Sequence, residues 1–144
     1  MSALDLRQTD FAGVPVLSAT PDSILNWIIE KARKPGPGGH HVHLLAAHSV
    51  VIARDNETFM SALRADGIVI PDGRWPELLT RKEKLPLHQF RGHDLLIQLL
   101  SDAKASGLRH YFLGPSGVVL ENLRKRLEVR IPGIRWAGQG VYPF

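Results

Sequence analysis

The feature that most constrains this chain is its alternation of short apolar runs with longer segments whose apolar residues recur at helical spacing. Val42–Ala47, Gly67–Ile70 and His110–Leu113 are too short for helices and are bounded by glycine, proline or polar residues. They lack a clean in-out alternation, as parallel strands covered on both faces do. Strands that repeat with helices between them pack as a parallel sheet with crossover helices. The sequence therefore implies a single α/β domain over residues 1–144, Rossmann-like, with a mainly parallel sheet flanked by helices.

Local signals place the elements. Val14-Pro15-Val16-Leu17 reads as a short edge strand, where proline is tolerated. Thr20-Pro21-Asp22 reads as a helix start, with Thr20 as cap and Pro21 in the first helical position. Ile24, Leu25, Trp27, Ile28 and Ile29 supply that helix's apolar face. The glycine- and proline-rich stretch Lys34–Gly39 is a loop. A helix is expected from about Ser49 to Arg54. Another is expected to be capped by Asp55 or Asn56 and to carry Phe59, Met60 and Leu63, and a further one is expected over Trp75–Arg81. Asp94–Ala105 carries Leu95, Leu96, Leu99, Leu100 and Ala103 at helical spacing and ends at Gly107. A helix over Gly117–Val129 is expected to bury Val119, Leu120, Leu123 and Leu127, and Ile134–Ala137 to form the last strand.

Composition narrows the functional classes. No apolar run approaches the roughly 20 residues needed to span a bilayer, and Met1–Asp10 lacks the apolar core of a secretory signal. Cysteine is absent, which excludes disulfides and thiolate metal sites. The formal charge of +4 suits phosphate-rich ligands or anionic headgroups. The basic residues are nevertheless dispersed, and Lys82-Glu83-Lys84 and Arg124-Lys125-Arg126 read as solvated surface rather than a nucleic-acid stripe.

In a parallel α/β sheet, ligands sit beyond the carboxyl ends of the strands. Two unusual loops fall there. Pro71-Asp72-Gly73 ends a buried strand abruptly: proline fixes the backbone before the carboxylate and glycine permits a tight turn after it. A half-buried carboxylate in such a place suits general-base chemistry, although the same tripeptide is a common turn. Gly114-Pro115-Ser116-Gly117 joins a strand to a helix, where backbone N–H groups attract phosphate and Ser116 adds a hydroxyl. It matches neither a P-loop nor a dinucleotide fingerprint, and a plain connecting loop is the alternative. In Arg91-Gly92-His93-Asp94, glycine allows close ligand approach. Asp94 either contacts a ribose or stabilises its own helix start. A strand would place His41 and His43 on one face, close to His40 and His48, but no third ligand of suitable type is evident and no metal is expected. Trp27 and Trp136 read as packing residues, and Trp75, shortly after Asp72, as the one tryptophan placed to meet a sugar.

Taken in order, these segments resemble the WecG/TagA/CpsF glycosyltransferase family. Val51-Ile52-Ala53-Arg54 closes the first shared helix, and Ala65–Gly73 is similar to the family's "aDlvlPDG" block. Arg91–Leu95 resembles its "v-x-G-x-D-l" block, and Tyr111–Gly114 with Gly117 resembles its "f-l-L-G-g-x-p-G" loop. Ile131-Pro132-Gly133 through Gly138, with Pro143-Phe144, resembles its "yPgl…G…PPF" segment. The resemblance implies inverting transfer of a sugar from a UDP-sugar to a polyprenyl-diphosphate-linked acceptor in cell-surface polysaccharide synthesis. It implies no metal or other cofactor. The enzyme would be a peripheral one at the cytoplasmic face of the membrane. Asp72 matches the family's proposed base. Ser49, Gly73, Arg91, Gly92, Asp94 and Gly114-Pro115-Ser116-Gly117 fall where substrate would be held.

Two departures accompany the match. The family's Thr-x-Asn pattern before the first shared helix corresponds to Leu44 and Ala46 here, with Ser49 the nearest replacement polarity. Family members also continue beyond the position of Phe144, through a "G-x-P-k-Q-E" segment and a basic appendage, so the chain is expected to be truncated at its C-terminus. Such a chain would carry an unpaired sheet edge, compatible with self-association. The second reading is therefore a catalytically inactive domain that serves as a binding or oligomerisation module, and a third is a nucleotide-binding α/β module with unrelated chemistry.

Overall fold

The computed structural model describes residues 7–34, 36–65 and 67–142. Expectations that fall on residues 1–6, Pro35, Asp66, Pro143, Phe144 and the Ala103 side chain lie outside the described residues. The chain forms two compact units, Met1–Leu95 and Leu96–Phe144.

The first unit opens with a hairpin. Strands β1 (Gln8–Phe11) and β2 (Val14–Leu17) pair antiparallel from Gln8↔Leu17 to Phe11↔Val14. Their turn, Ala12-Gly13, has φ of 54° and 84°, the left-handed pair that matches strand twist in a two-residue hairpin. The Gly13 N–H donates to Asp10 Oδ1 at 3.0 Å and fixes the turn. Val14-Pro15-Val16-Leu17 is thus a strand as expected, but its partner β1 is not signalled, because Gln-Thr-Asp-Phe is mostly polar and Ala-Gly is a weak hairpin signature.

Helix α1 (Pro21–Arg33) begins as its sequence dictates: the Thr20 hydroxyl accepts from Ser23 N–H at 3.4 Å, and Pro21 follows. Ile24, Leu25 and Trp27 are buried. Strand β3 (His41–Leu45) runs parallel to β4 (Gly67–Pro71), in register from His41↔Gly67 to Leu45↔Pro71. The crossover consists of α2 (Ala47–Asp55) and α3 (Glu57–Arg64). Helix α2 starts at Ala47, ahead of the expected Ser49, and Asn56 rather than Asp55 caps α3 by accepting from Phe59 N–H at 2.9 Å. Val14, Val16, Leu45, Val50, Leu63, Val69 and Leu87 form the core between hairpin, crossover and strand pair. Each fully buried aliphatic side chain there contributes roughly 1.5–3 kcal/mol. Helix α4 (Arg74–Thr80) follows β4 after two residues, Asp72 and Gly73.

Helix α5 (Gly92–Ser106) ends at Gly107, whose φ of 75° is that of a glycine helix stop. In the second unit, β5 (His110–Gly114) and β6 (Trp136–Val141) pair in parallel across α6 (Gly117–Arg130), with a bulge between His110 and Tyr111. Leu100, Leu127, Ile131 and Ile134 make its core, with Phe112 and Trp136 packed against them. Two expectations are corrected here. The last strand begins at Trp136, not Ile134, because Gly133 (φ 88°) and the Ile134 N–H to Ile131 carbonyl bond fold Ile134 into the core first. Val119 is exposed: it lies on the open side of the first turn of α6, and Leu120 and Leu127 take the buried face.

Among the described residues the strands form three two-stranded sheets, two of them parallel with helical crossovers. This is the α/β, Rossmann-like organisation of parallel pairs flanked by helices that the sequence pattern implies. Both unusual loops follow the carboxyl ends of parallel strands.

Candidate active site

Asp72 stands at the carboxyl end of the β3–β4 pair. Its N–H donates to the Leu45 carbonyl at 3.0 Å, one rung beyond the Leu45↔Pro71 pair. The Pro71 carbonyl accepts from Phe90 N–H at 3.1 Å. The peptide that carries Asp72 is therefore held from both sides, and the side chain is half-buried at the strand end. Gly73 has φ 95°, a conformation costly for any residue with a Cβ, and nothing lies within 4 Å of where a Cβ would stand. The turn is thus both fixed in shape and open beside the carboxylate.

Other candidates in this unit gather at the same end. Ser49 is half-buried in the first turn of α2, its N–H bonded to the Ala46 carbonyl at 3.0 Å. Gly92 approaches β3 so closely that an added Cβ would meet Leu44 Cδ1 at 2.9 Å. The Arg91 carbonyl accepts from Leu95 N–H at 2.9 Å and opens α5, leaving the Arg91 and Asp94 side chains exposed. The fold therefore brings Leu44–Ala46, Pro71–Gly73 and Phe90–Gly92 to one strand end, a carboxylate with a hydroxyl and a guanidinium carried on the flanking helix starts.

The second unit carries the other loop. Gly114 is buried under α6, where an added Cβ would stand 2.8 Å from Leu120 Cδ2, so glycine is needed for strand and helix to pack. Ser116 is the N-cap of α6, its Oγ accepting from Val119 N–H at 3.3 Å. An α-helix leaves its first N–H groups unpaired. With Val119 satisfied, those of Gly117 and Val118 remain as donors, and nothing lies within 4 Å of a Cβ at Gly117. Pro115 is exposed beside them.

The histidine rings of His41 and His43 do share a face, stacked at 6.0 Å between centroids. Burial lowers the His43 pKa from the ordinary value of 6.5, and the charge of His41 lowers it further. No group of three or more metal-ligating side chains occurs among the described residues. Trp27 is buried and Trp136 packs on Phe112, whereas Trp75 is exposed.

A sequence profile described as the glycosyl transferase WecG/TagA/CpsF family matches residues 9–144. The chain belongs to this family. Membership makes it a glycosyltransferase-family protein of cell-surface polysaccharide synthesis, and the matched span takes in both the Asp72 turn and the Gly114–Gly117 turn. No curated protein matches the chain. No helix among the described residues is long and apolar enough to cross a membrane.

One feature of this WecG/TagA/CpsF chain escaped the sequence reading. Helix α4, beginning two residues after Asp72, turns Trp75, Leu78 and Leu79 outward and buries Pro76 and Thr80 instead. The signal was present in Arg74-Trp75-Pro76-Glu77-Leu78-Leu79-Thr80-Arg81: its inward-facing i, i+4 pair is Pro76 and Thr80, which hydrophobic periodicity does not single out.

Proposed function

We propose that this protein transfers a sugar, with inversion, from a UDP-sugar to a polyprenyl-diphosphate-linked acceptor at the cytoplasmic face of the membrane, with Asp72 as base. The observation that carries this reading is the half-buried Asp72 carboxylate, held at the mouth of a parallel strand pair beside an open glycine. The carboxylate takes the proton of the acceptor hydroxyl while that oxygen forms a bond to the anomeric carbon. The bond from the anomeric carbon to the UDP oxygen breaks, and UDP leaves with the electron pair. Ser49, Gly73 and Gly92 border the carboxylate and contact the reacting sugars. Arg91 supplies positive charge to phosphate, and Asp94 accepts from ribose hydroxyls. In the second unit, the N–H groups that follow Pro115 and Ser116 serve as phosphate donors, with Gly114 and Gly117 giving the backbone its close approach. Fixed dipoles of this kind stabilise developing negative charge without a metal ion.

The test is transfer of label from UDP-sugars to a polyprenyl-diphosphate-linked saccharide in the presence of a chelator. Labelled product of inverted anomeric configuration is expected, undiminished by the chelator. Absence of UDP binding by calorimetry would remove the reading. One observation favours a second reading, a partner-binding domain without transfer activity: Leu44, which replaces a polar residue of the family pattern, is exposed at the strand pair. Turnover by the chain eliminates that alternative.

A further inference from the structure

Helix α4 is built inside out. Its inner face is made by Pro76 and Thr80, both buried. The Thr80 hydroxyl donates to the Pro76 carbonyl at 2.8 Å and accepts from Leu87 N–H at 2.9 Å. The helix is thereby fixed in rotation, and its large apolar side chains face solvent: Trp75 is 62% exposed, Leu78 46% and Leu79 63%. These positions are spaced i, i+3, i+4 and form one contiguous apolar patch. Single exposed apolar residues are unremarkable, but an aromatic with two leucines on one short helix is not.

The charges around the patch identify its partner. Arg74 and Arg81 are seven positions apart, Arg81 continues the helical backbone, and Lys82 and Lys84 follow. Among the described residues none of these four cations forms a salt bridge. Glu77 is already engaged, its Oε2 accepting from Gln89 N–H at 2.8 Å. A groove of about 590 Å³ lined by Arg74, Trp75, Glu77, Leu78 and Arg81 lies along the helix. Apolar side chains including a tryptophan, rimmed by unpaired arginine and lysine, are complementary to the headgroup region of an anionic bilayer. There the rings and leucines sit at acyl depth and the cations meet phosphates. A protein partner would match the apolar patch but gives no reason for the unpaired basic rim.

We infer that the outer face of α4, with Arg81, Lys82 and Lys84, docks this protein on an anionic lipid surface. Because α4 follows Asp72 across Gly73 alone, docking sets the proposed base close to the bilayer plane, where a lipid-linked acceptor presents its hydroxyl. That last link rests on the function proposed above; the docking itself does not.

The experiment is co-sedimentation of the full chain with phosphatidylglycerol–phosphatidylcholine vesicles and with phosphatidylcholine vesicles alone, combined with quenching of tryptophan fluorescence by brominated lipid. Binding is expected only to the anionic vesicles, with quenching that disappears in Trp75→Phe. Leu79→Glu is expected to weaken binding about tenfold or more, and Arg81→Gln about fivefold. Far-UV circular dichroism and urea midpoints unchanged by Leu79→Glu and Trp75→Phe exclude misfolding, because both positions are exposed. No binding to anionic vesicles, equal binding of Leu79→Glu, or loss of a dimer in place of loss of vesicle binding would each overturn the inference. Transfer to a water-soluble short-chain acceptor separates the two claims. If Leu79→Glu binds vesicles like wild type while soluble transfer proceeds, docking fails and the proposed function stands. If vesicle binding follows expectation but no acceptor is glycosylated, the docking face stands and the proposed function fails.

Discussion

Thr80 is the position where one atom most clearly holds the architecture of the site. Its hydroxyl links two buried backbone groups, donating to the Pro76 carbonyl and accepting from Leu87 N–H. Leu87 is fully buried and Thr80 is 5% exposed, so no water replaces the hydroxyl if it is removed. Thr80→Val keeps nearly the same shape but leaves the Leu87 N–H without an acceptor. A stranded buried donor costs about 1–3 kcal/mol, so a loss of about 2 kcal/mol is expected for the variant. Thr80→Ser keeps both bonds and deletes one methyl group, for which about 1 kcal/mol is expected. Urea denaturation followed by circular dichroism measures both values, and hydrogen exchange at the Leu87 amide locates the defect, since only the valine variant should lose protection there. The consequence reaches the candidate site: Leu87 leads to Phe90, whose N–H holds the Pro71 carbonyl beside Asp72. If Thr80→Val were as stable as wild type, or if serine were the costlier substitution, the hydrogen-bond account of α4 anchoring would be wrong.

Glycine substitutions separate packing from openness. Gly114→Ala drives a Cβ against the buried Leu120 side chain and is expected to cost about 1–3 kcal/mol in thermal or urea unfolding. Gly117→Ala meets no atom within 4 Å, so stability should stay within about 0.5 kcal/mol, while UDP affinity measured by calorimetry falls if the loop binds phosphate. Gly73→Ala forces a side chain to φ 95° and should cost about 1–2 kcal/mol by the same unfolding assay, despite the empty space around it. The pH dependence of stability follows from His43 and His110, both lowered by burial below the ordinary histidine value of 6.5. A lowered histidine means the unfolded chain binds the proton more readily. The contribution is then complete above pH 6.5 and is lost as pH falls from there through the folded-state values. Urea midpoints should decline on acidification across that window, and less steeply in His43→Gln.

Much of the fold can be read from local chemistry. Thr20-Pro21, Asn56 and Gly107 act through cap and stop geometry that needs no tertiary partner. The β4 run is apolar because it is buried from Ile68 to Pro71, as a parallel strand covered on both sides is. What local chemistry does not carry is pairing. Strand β1 exists because Asp10 and a left-handed Ala12-Gly13 pair close a hairpin onto β2, a tertiary reward for a polar sequence. The start of β6 depends on a turn that draws Ile134 into the core. The site divides in the same way. Asp72 between proline and glycine is visible as a turn, and its position at the strand mouth follows from the α/β rule. That Gly92 lies against Leu44, and that α4 turns its apolar residues outward, is set by contacts distant in sequence.

The account depends on Asp72 accepting a proton, and removal of its negative charge at constant shape tests that most directly. Single-turnover transfer from a UDP-sugar should slow about 10²–10⁴-fold in Asp72→Asn, with UDP affinity and the urea midpoint unchanged. An asparagine variant that transfers sugar at the wild-type rate would show that the proton goes elsewhere.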